Sequence, residues 1–303
     1  MAEPRPSRLV PVLLVVAVLV GAGVGVGLLY YHNHPASAAV IPTVQIGDNV
    51  TVNYIGILAS GPEVGKTFDT SIYSVALNNV SYPKSLEFSM RAPANYTPLP
   101  VFVGPSAPSG GYVVDGLTFS SVVTGFWQGL LGLSVNHTRV ITFPASQGYG
   151  PSNPACQVVR PMTVQVPVVE PVPVSNFTAR YPGVNATAGT TFFDPFYGWT
   201  DLVLSTNATS IVIENLPTLG WSIRGFSWPV VVTAINSTTI TVTNELTLAD
   251  AGHVMGSTSA QVCASPQYIV SNVNPQAGTF TEDYNHEVVG QSLTFIVTVT
   301  QFY

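Results

Sequence analysis

Charged side chains are scarce. Nine Lys and Arg and fifteen Asp and Glu amount to 8% of 303 residues, and the net charge is −6. No basic patch forms beyond Lys66, so nucleic acid is not expected as a partner. Histidine is thin too. His137, His253 and His286 are too scattered for a metal site, and His32 and His34 lie in a short polar linker. Neither a metal nor a cofactor is expected. Ser, His and Asp occur without a nucleophile-elbow pattern, which leaves a hydrolase unsupported. Low charge in a chain rich in Ser, Thr, Asn, Gly and Pro would suit disorder, but 46% hydrophobic and 10% aromatic content can bury a core.

The lack of charge is complete from Leu9 to Leu29. Twenty-one apolar or small residues, at about 1.5 Å rise each, span roughly 30 Å, the thickness of a bilayer's hydrocarbon core. Arg5 and Arg8 flank this run on its N-terminal side, and no Lys or Arg follows until Lys66. The positive-inside rule then places the N-terminus in the cytoplasm and everything after Tyr30 outside. A cleaved signal peptide is the rival reading, since Ala36-Ser37-Ala38 has the form of a cleavage site, although the apolar run exceeds a usual h-region.

Two features agree with an outside location. Asn-X-Ser/Thr occurs eight times, at Asn49, Asn79, Asn95, Asn136, Asn176, Asn185, Asn207 and Asn236, among only seventeen asparagines. Their alternative role is polar loop chemistry without a glycan. The only cysteines, Cys156 and Cys263, both follow the apolar run and either pair in an oxidising compartment or stand as two thiols.

Beyond the tether almost every segment reads as strand and turn. Val50, Val52 and Tyr54 alternate with Thr51 and Asn53, and Leu293, Phe295, Val297 and Val299 alternate with polar or outward residues. The one expected helix follows Gly125, with Phe126 and Leu130 on one face and two glycines that weaken it unless tertiary packing holds it. A loose repeat runs through the middle of the chain. Val203, Asn207, Ile211 and Asn215 are matched by Val232, Asn236, Ile240 and Asn244, then loosely by Val270, Asn274, Phe280 and Asn285. A glycine follows each copy (Gly220, Gly252, Gly290), and each copy is expected to be a β-hairpin with an Asn-centred turn.

Three stretches, in order, resemble the FKBP family of prolyl isomerases. They are Gly47 to Gly56 with Lys66-Thr67-Phe68-Asp69-Thr70-Ser71, then Val122 to Leu133, then Arg139 to Pro144 with Gly148-Tyr149-Gly150. Asp283-Tyr284-Asn285-His286-Glu287-Val288-Val289-Gly290, followed by Leu293 and Phe295, is similar to the closing signature of SlyD-type and archaeal members. In those relatives a chaperone domain is inserted in the flap between the Tyr-Gly turn and the last strand. The corresponding gap here is longer, so the resemblance covers about 130 residues in two pieces and the insert only by position. The pattern departs at Thr124, where the family has Pro, and at Gly148, where it has Ala, and the segment from Thr70 to Ser121 is enlarged. Pro98 to Gly104 is the candidate for the family's pocket strand.

The resemblance implies an α+β fold, an FKBP-like antiparallel sheet wrapped on one short helix, with a large all-β insertion. The expected order is a cytoplasmic tail (1–8), transmembrane anchor (9–29), tether (30–43), first part of the FKBP-type domain (44–150), β-rich insert (151–279) and closing strand (280–303). By position, Tyr54, Phe68, Val123, Phe126 and Phe295 would line a proline pocket. The Tyr149 hydroxyl and the Val123 N–H would hold substrate carbonyls, and Asp69 would sit at the pocket's edge. Read by periodicity alone, Tyr54, Phe126 and Phe295 are core and Asp69 is a turn residue. Tyr149, between two glycines, has little local packing to satisfy. The implied activity is prolyl isomerisation with chaperone action on unfolded or proline-containing polypeptides, outside the membrane that residues 9–29 anchor to. A non-catalytic envelope scaffold or adhesion protein built on the same β-domain is the competing reading.

Overall fold

The structure is a computed structural model that describes residues 41–303 apart from Ser109 and Ala264. The expected anchor at 9–29 and its flanking arginines lie outside the described residues. Among the described residues no helix is long and apolar enough to cross a membrane.

The chain lays down β1 (Asn49–Leu58), β2 (Thr67–Thr70), the short helix α1 (Tyr73–Leu77), β3 (Leu99–Phe102) and a small hairpin, β4 (Tyr112–Val114) and β5 (Leu117–Phe119). Helix α2 (Thr124–Leu130) and β6 (Thr138–Phe143) follow. After the insert the chain returns as β19 (Leu293–Phe302), which runs antiparallel between β1 and β6. Both remaining strands use the other edge of β1. β3 takes Asn49 to Val52, and β2 takes Ile55 to Ile57. The alternation expected of β19 holds, with Leu293, Phe295, Val297 and Val299 buried. β1 is buried on both faces, Thr51 included.

Helix α2 packs on the sheet by way of the glycines that weaken it. A Cβ on Gly125 would fall 2.1 Å from Phe143, and one on Gly129 would fall 2.5 Å from Ile141. The two bare positions let the helix backbone sit directly on β6, and Phe126, Trp127 and Leu130 are buried there. Tertiary contact thus compensates the low helix propensity of a seven-residue segment.

Three four-stranded antiparallel sheets make up the insert. Its first strands are β7 (Gln157–Pro161), β8 (Thr163–Pro167) and β9 (Val169–Pro173). They are followed by helix α3 (Val174–Arg180) and three meanders. These are β10 (Thr191–Phe193), β11 (Thr200–Thr206) and β12 (Ser210–Asn215); β13 (Ser222–Ile223), β14 (Val230–Ile235) and β15 (Thr239–Asn244); and β16 (Met255–Val262), β17 (Ser265–Asn274) and β18 (Thr279–Asp283). The pairing is nested: β9 joins the first meander through β12, β8 the second through β15, and β7 the third through β18. Pro161, Pro167, Pro171 and Pro173 all lie on these three strands, each at a sheet edge, where a residue without an N–H breaks no central ladder. The expected junction at 279 falls at the start of β18.

The repeat is real, and its chemistry is visible. In the first two copies the turn asparagine caps the hairpin: Asn207 Oδ1 accepts from the Thr209 and Ser210 N–H groups, and Asn236 Oδ1 from those of Thr238 and Thr239. The closing asparagines bind indoles, Trp199 Nε1 donating to Asn215 at 3.2 Å and Trp228 Nε1 to Asn244 at 3.0 Å. Two details of the expected repeat are corrected. First, the glycine precedes its copy: the Gly189, Gly220 and Gly252 N–H groups donate to the carbonyls of Val203, Val232 and Val270. All three have positive φ, as does Gly290, which donates instead to Gly150. Second, the third turn is longer, Phe280 standing six positions after Asn274 whereas Ile211 stands four after Asn207. Tyr284 therefore takes the last position of the copy, and Asn285 binds Asn153 instead.

Helix content is also corrected. α1 and α3 join the one expected helix, and α3 means that the insertion is not all-β. Phe177 of α3 is buried against Tyr181 and Phe192, so a local aromatic cluster holds this helix of about two turns. The cysteines pair, Cys156 with Cys263 at a Cα separation of 5.7 Å, tying the start of β7 to the tip of the β16–β17 hairpin. Of the eight sequons, Asn49 is buried within β1 and leaves no room for a glycan.

Asn49, Arg91, Trp127 and Asp201 each have a buried side-chain atom without a hydrogen-bond partner, and Asp201 is the carboxylate among them. Asp194 has no exposure yet accepts from Arg180 (2.8 Å), the Tyr181 hydroxyl (2.7 Å) and the N–H groups of Phe196 and Tyr197. Asp201 is equally buried, and neither of its oxygens has a hydrogen-bond partner. Burial first, then the charge of Asp194, push the Asp201 carboxyl up from 3.8 to about 7. A carboxyl raised on folding favours the fold while protonated. That contribution is complete below about pH 4 and is lost as pH rises toward 7, by about 4 kcal/mol in all. Asp201→Asn should therefore gain stability relative to the native chain as pH rises from about 4 to about 7. Parallel denaturation curves at the two pH values test this, and an unchanged difference would contradict it.

Candidate active site

The site begins with register. Tyr54 projects from the middle of β1 opposite Val297, and Gly56 lies opposite Phe295 on one side and Asp69 on the other. Gly56 has to be bare, since a Cβ there would approach Phe68 Cζ to 2.6 Å and the Phe295 ring to 3.0 Å. The space it leaves lets Phe68 stand edge-on to Phe295, with ring centres 5.5 Å apart. Phe126 meets Phe295 at 4.9 Å and Tyr54 at 6.1 Å, both edge-to-face, and Phe143 stacks on the far side of Phe295 at 5.7 Å. Edge-to-face pairs of this kind add to simple burial and fix ring orientation.

Above these rings opens a cleft of about 490 Å³. Six of the seven residues singled out in the sequence line it: Tyr54, Asp69, Val123, Phe126, Tyr149 and Phe295. Phe68 does not. It packs against Phe295 and lines a neighbouring hollow instead. Leu99, Ser121 and Val122 complete the cleft wall. Leu99 comes from β3, which lies within the Pro98–Gly104 segment suspected of forming a pocket strand, and its register is Leu99 against Val52.

The polar edge is organised around Asp69. Its Oδ2 accepts the Tyr54 hydroxyl, and its Oδ1 accepts the Thr70 N–H at 2.8 Å and lies 3.1 Å from Arg91 Nη2. Arg91 also donates to the Thr70 carbonyl and lies over the Tyr96 ring at 4.9 Å. Arg91 carries no motif in the sequence. The available signal was scarcity: Arg91 is one of two cations, with Lys84, within the enlarged segment of a chain that has only nine.

Val123 caps the N-terminus of α2. Its carbonyl accepts from Phe126 at 3.0 Å and Trp127 at 3.3 Å, and its N–H donates no backbone hydrogen bond among the described residues. Tyr149 sits half exposed at the cleft mouth, in a turn closed by the Gly150 N–H donating to Ala145. Burial, helped by the charge of Asp69, raises the ionisation of both the Tyr54 and the Tyr149 hydroxyls above the ordinary tyrosine range. Both remain neutral donors at physiological pH. The arrangement offers an apolar, aromatic floor edged by neutral hydrogen-bond donors.

For Tyr54, burial is the larger cause and Asp69 the smaller. Asp69→Asn should therefore lower the pH at which Tyr54 ionises while leaving it above that of an exposed tyrosine. Alkaline titration of ring-labelled tyrosine by NMR measures this, and an unmoved Tyr54 resonance would contradict it. Compared with protein-family models and with curated proteins, the chain matches none.

Proposed function

We propose that this chain is an FKBP-type peptidyl-prolyl cis/trans isomerase, anchored in a membrane and facing outward, whose insert holds unfolded clients. The observation that carries the reading is the cleft. Tyr54, Phe126 and Phe295 meet ring to ring beneath an opening edged by the Val123 N–H and the Tyr149 hydroxyl. The sheet wrapped on α2 agrees with the fold that the family resemblance implies.

An X-Pro bond isomerises over a barrier of about 18–20 kcal/mol. At the transition state the amide is twisted and has lost resonance, and with it part of its charge separation. An apolar, water-poor pocket therefore favours the twisted form over the planar one, without covalent chemistry. Proline would rest on the three rings. The Tyr149 hydroxyl and the Val123 N–H would hold flanking carbonyls, while Asp69, engaged by Tyr54 and Arg91, would keep the Tyr54 ring in place.

Client holding draws support from the insert's surface. Phe193, Phe196 and Leu219 are each more than 60% exposed, and a groove of about 240 Å³ between the second and third sheets is lined by Phe226, Trp228, Tyr268 and Phe280. The disulfide supports an oxidising, extracytoplasmic compartment.

Isomerisation of an X-Pro peptide by the full chain is the test. Tyr149→Phe should lower the rate a few-fold to about tenfold, one hydrogen bond being worth about 0.5–1.5 kcal/mol. Phe126→Ala should lower it further, with a stability loss of about 3–5 kcal/mol that must be measured alongside. A folded native protein that leaves the bond at its uncatalysed rate would overturn the proposal in favour of the scaffold reading. Removing the insert should spare short peptides but slow catalysis on an unfolded protein client. Equal rates on that client would remove the client-holding role.

A further inference from the structure

Beside the cleft lies a second hollow of about 600 Å³, which shares Asp69 and Tyr149 with it. Phe68 and Val288 are among its apolar walls, and Glu87, Arg91 and His286 among its polar ones. These walls come from four places: strand β2, the enlarged loop between β2 and β3, the turn that enters the insert, and the segment that leaves it. The two insert segments are bound to each other. Gly290 donates to Gly150 at 2.8 Å, and Asn153 and Asn285 exchange bonds of 2.9 and 3.1 Å. The loop is bound to the exit in turn. The Glu287 N–H donates to Glu87 Oε2 at 3.0 Å, and the Glu87 N–H donates to Glu287 Oε2 at 3.1 Å. The hollow is therefore a built feature at the foot of the insert and not a gap between loose loops.

We infer that this hollow is the subsite for the residues flanking the proline, and that Glu87 makes it favour a basic side chain over an acidic one. The inference rests on the isomerase reading of the adjoining cleft. An extended chain advances about 3.3 Å per residue, so a peptide with its proline on the three rings reaches past Tyr149 within a few residues. The charges in the hollow are unequal. Asp69 is compensated by Arg91 at 3.1 Å, whereas among the described residues no Lys or Arg pairs with Glu87, whose ionisable neighbours are the His286 imidazole at 3.2 Å and a second carboxyl, Glu287. A cationic side chain placed there gains a partner, and an anionic one meets a like charge.

Proline peptides that carry Lys, Gln or Glu next to the X-Pro pair test this with the full chain. kcat/KM should fall in that order by about fivefold from Lys to Glu, mainly through KM. Added salt should narrow the difference. Glu87→Gln, which keeps an acceptor for the Glu287 N–H, should abolish the preference. Glu245→Gln, the same change at an exposed carboxylate just beyond β15, should not. Equal KM values for Lys and Glu peptides, or a preference that survives Glu87→Gln, would overturn the subsite while leaving the isomerase intact. Should no peptide be isomerised, the isomerase reading falls. Calorimetric binding of the same peptides then judges the hollow alone: Lys over Glu supports it and equal affinity rejects it.

Discussion

The pairing of β1 with β19 is the constraint on which the rest of the structure depends. It sets Tyr54 beside Val297 and Gly56 beside Phe295, so the rings that floor the cleft come from opposite ends of the described chain. Strand β19 also carries β6, and β6 carries α2, so the helix that supplies Phe126 stands on the closing strand at one remove. Bringing such distant segments together costs loop-closure entropy, and the stem of the insert limits that cost. The bonds of Gly290 to Gly150, of Asn153 with Asn285 and of Tyr284 to Cys156 bring the two ends of the insert together before β19 begins.

Bare backbone and bulky rings work as a pair in this domain. Gly125, Gly129 and Gly56 are each required because a ring or a branched chain occupies the space of their missing Cβ. The site's precision comes from those close approaches, and its polarity from a short chain of contacts among Tyr54, Asp69 and Arg91. Aromatic packing locks the apolar floor, and the ion pair locks the rim. In the proposed reaction this shape and dryness, with the two donors at Val123 and Tyr149, would be what the protein supplies.

The insert follows a different logic. It repeats one hairpin design three times and completes each copy with a strand laid down in advance, in reverse order. Trp199 and Trp228 bond the closing asparagines of the first two copies, while the third departs from the design where it meets the stem. Proline on every one of the edge strands β7, β8 and β9 guards those edges against added strands, while the opposite edges, β10, β13 and β16, carry none.

Local pattern was enough to read β1, β19 and α2, the inward direction of Tyr54, Phe126 and Phe295, and the hairpin repeat, because periodicity and turn chemistry act between near neighbours. The motif order was also enough to bring six of the seven site residues to one cleft. What it could not reach depends on contacts between distant segments. Arg91 belongs to the site only because β2 and its following loop bring it to Asp69. Phe68 turns away from the cleft because Gly56 opens a place for it against Phe295. α3 exists because Phe177 finds Tyr181 and Phe192, and the second hollow exists because the loop at Glu87 meets the exit of the insert at Glu287. By itself the sequence determined which residues are strand, turn and ring. Only the tertiary structure decided which of them touch, since contact across the sheet and the stem is set by register and closure, and no local pattern carries either.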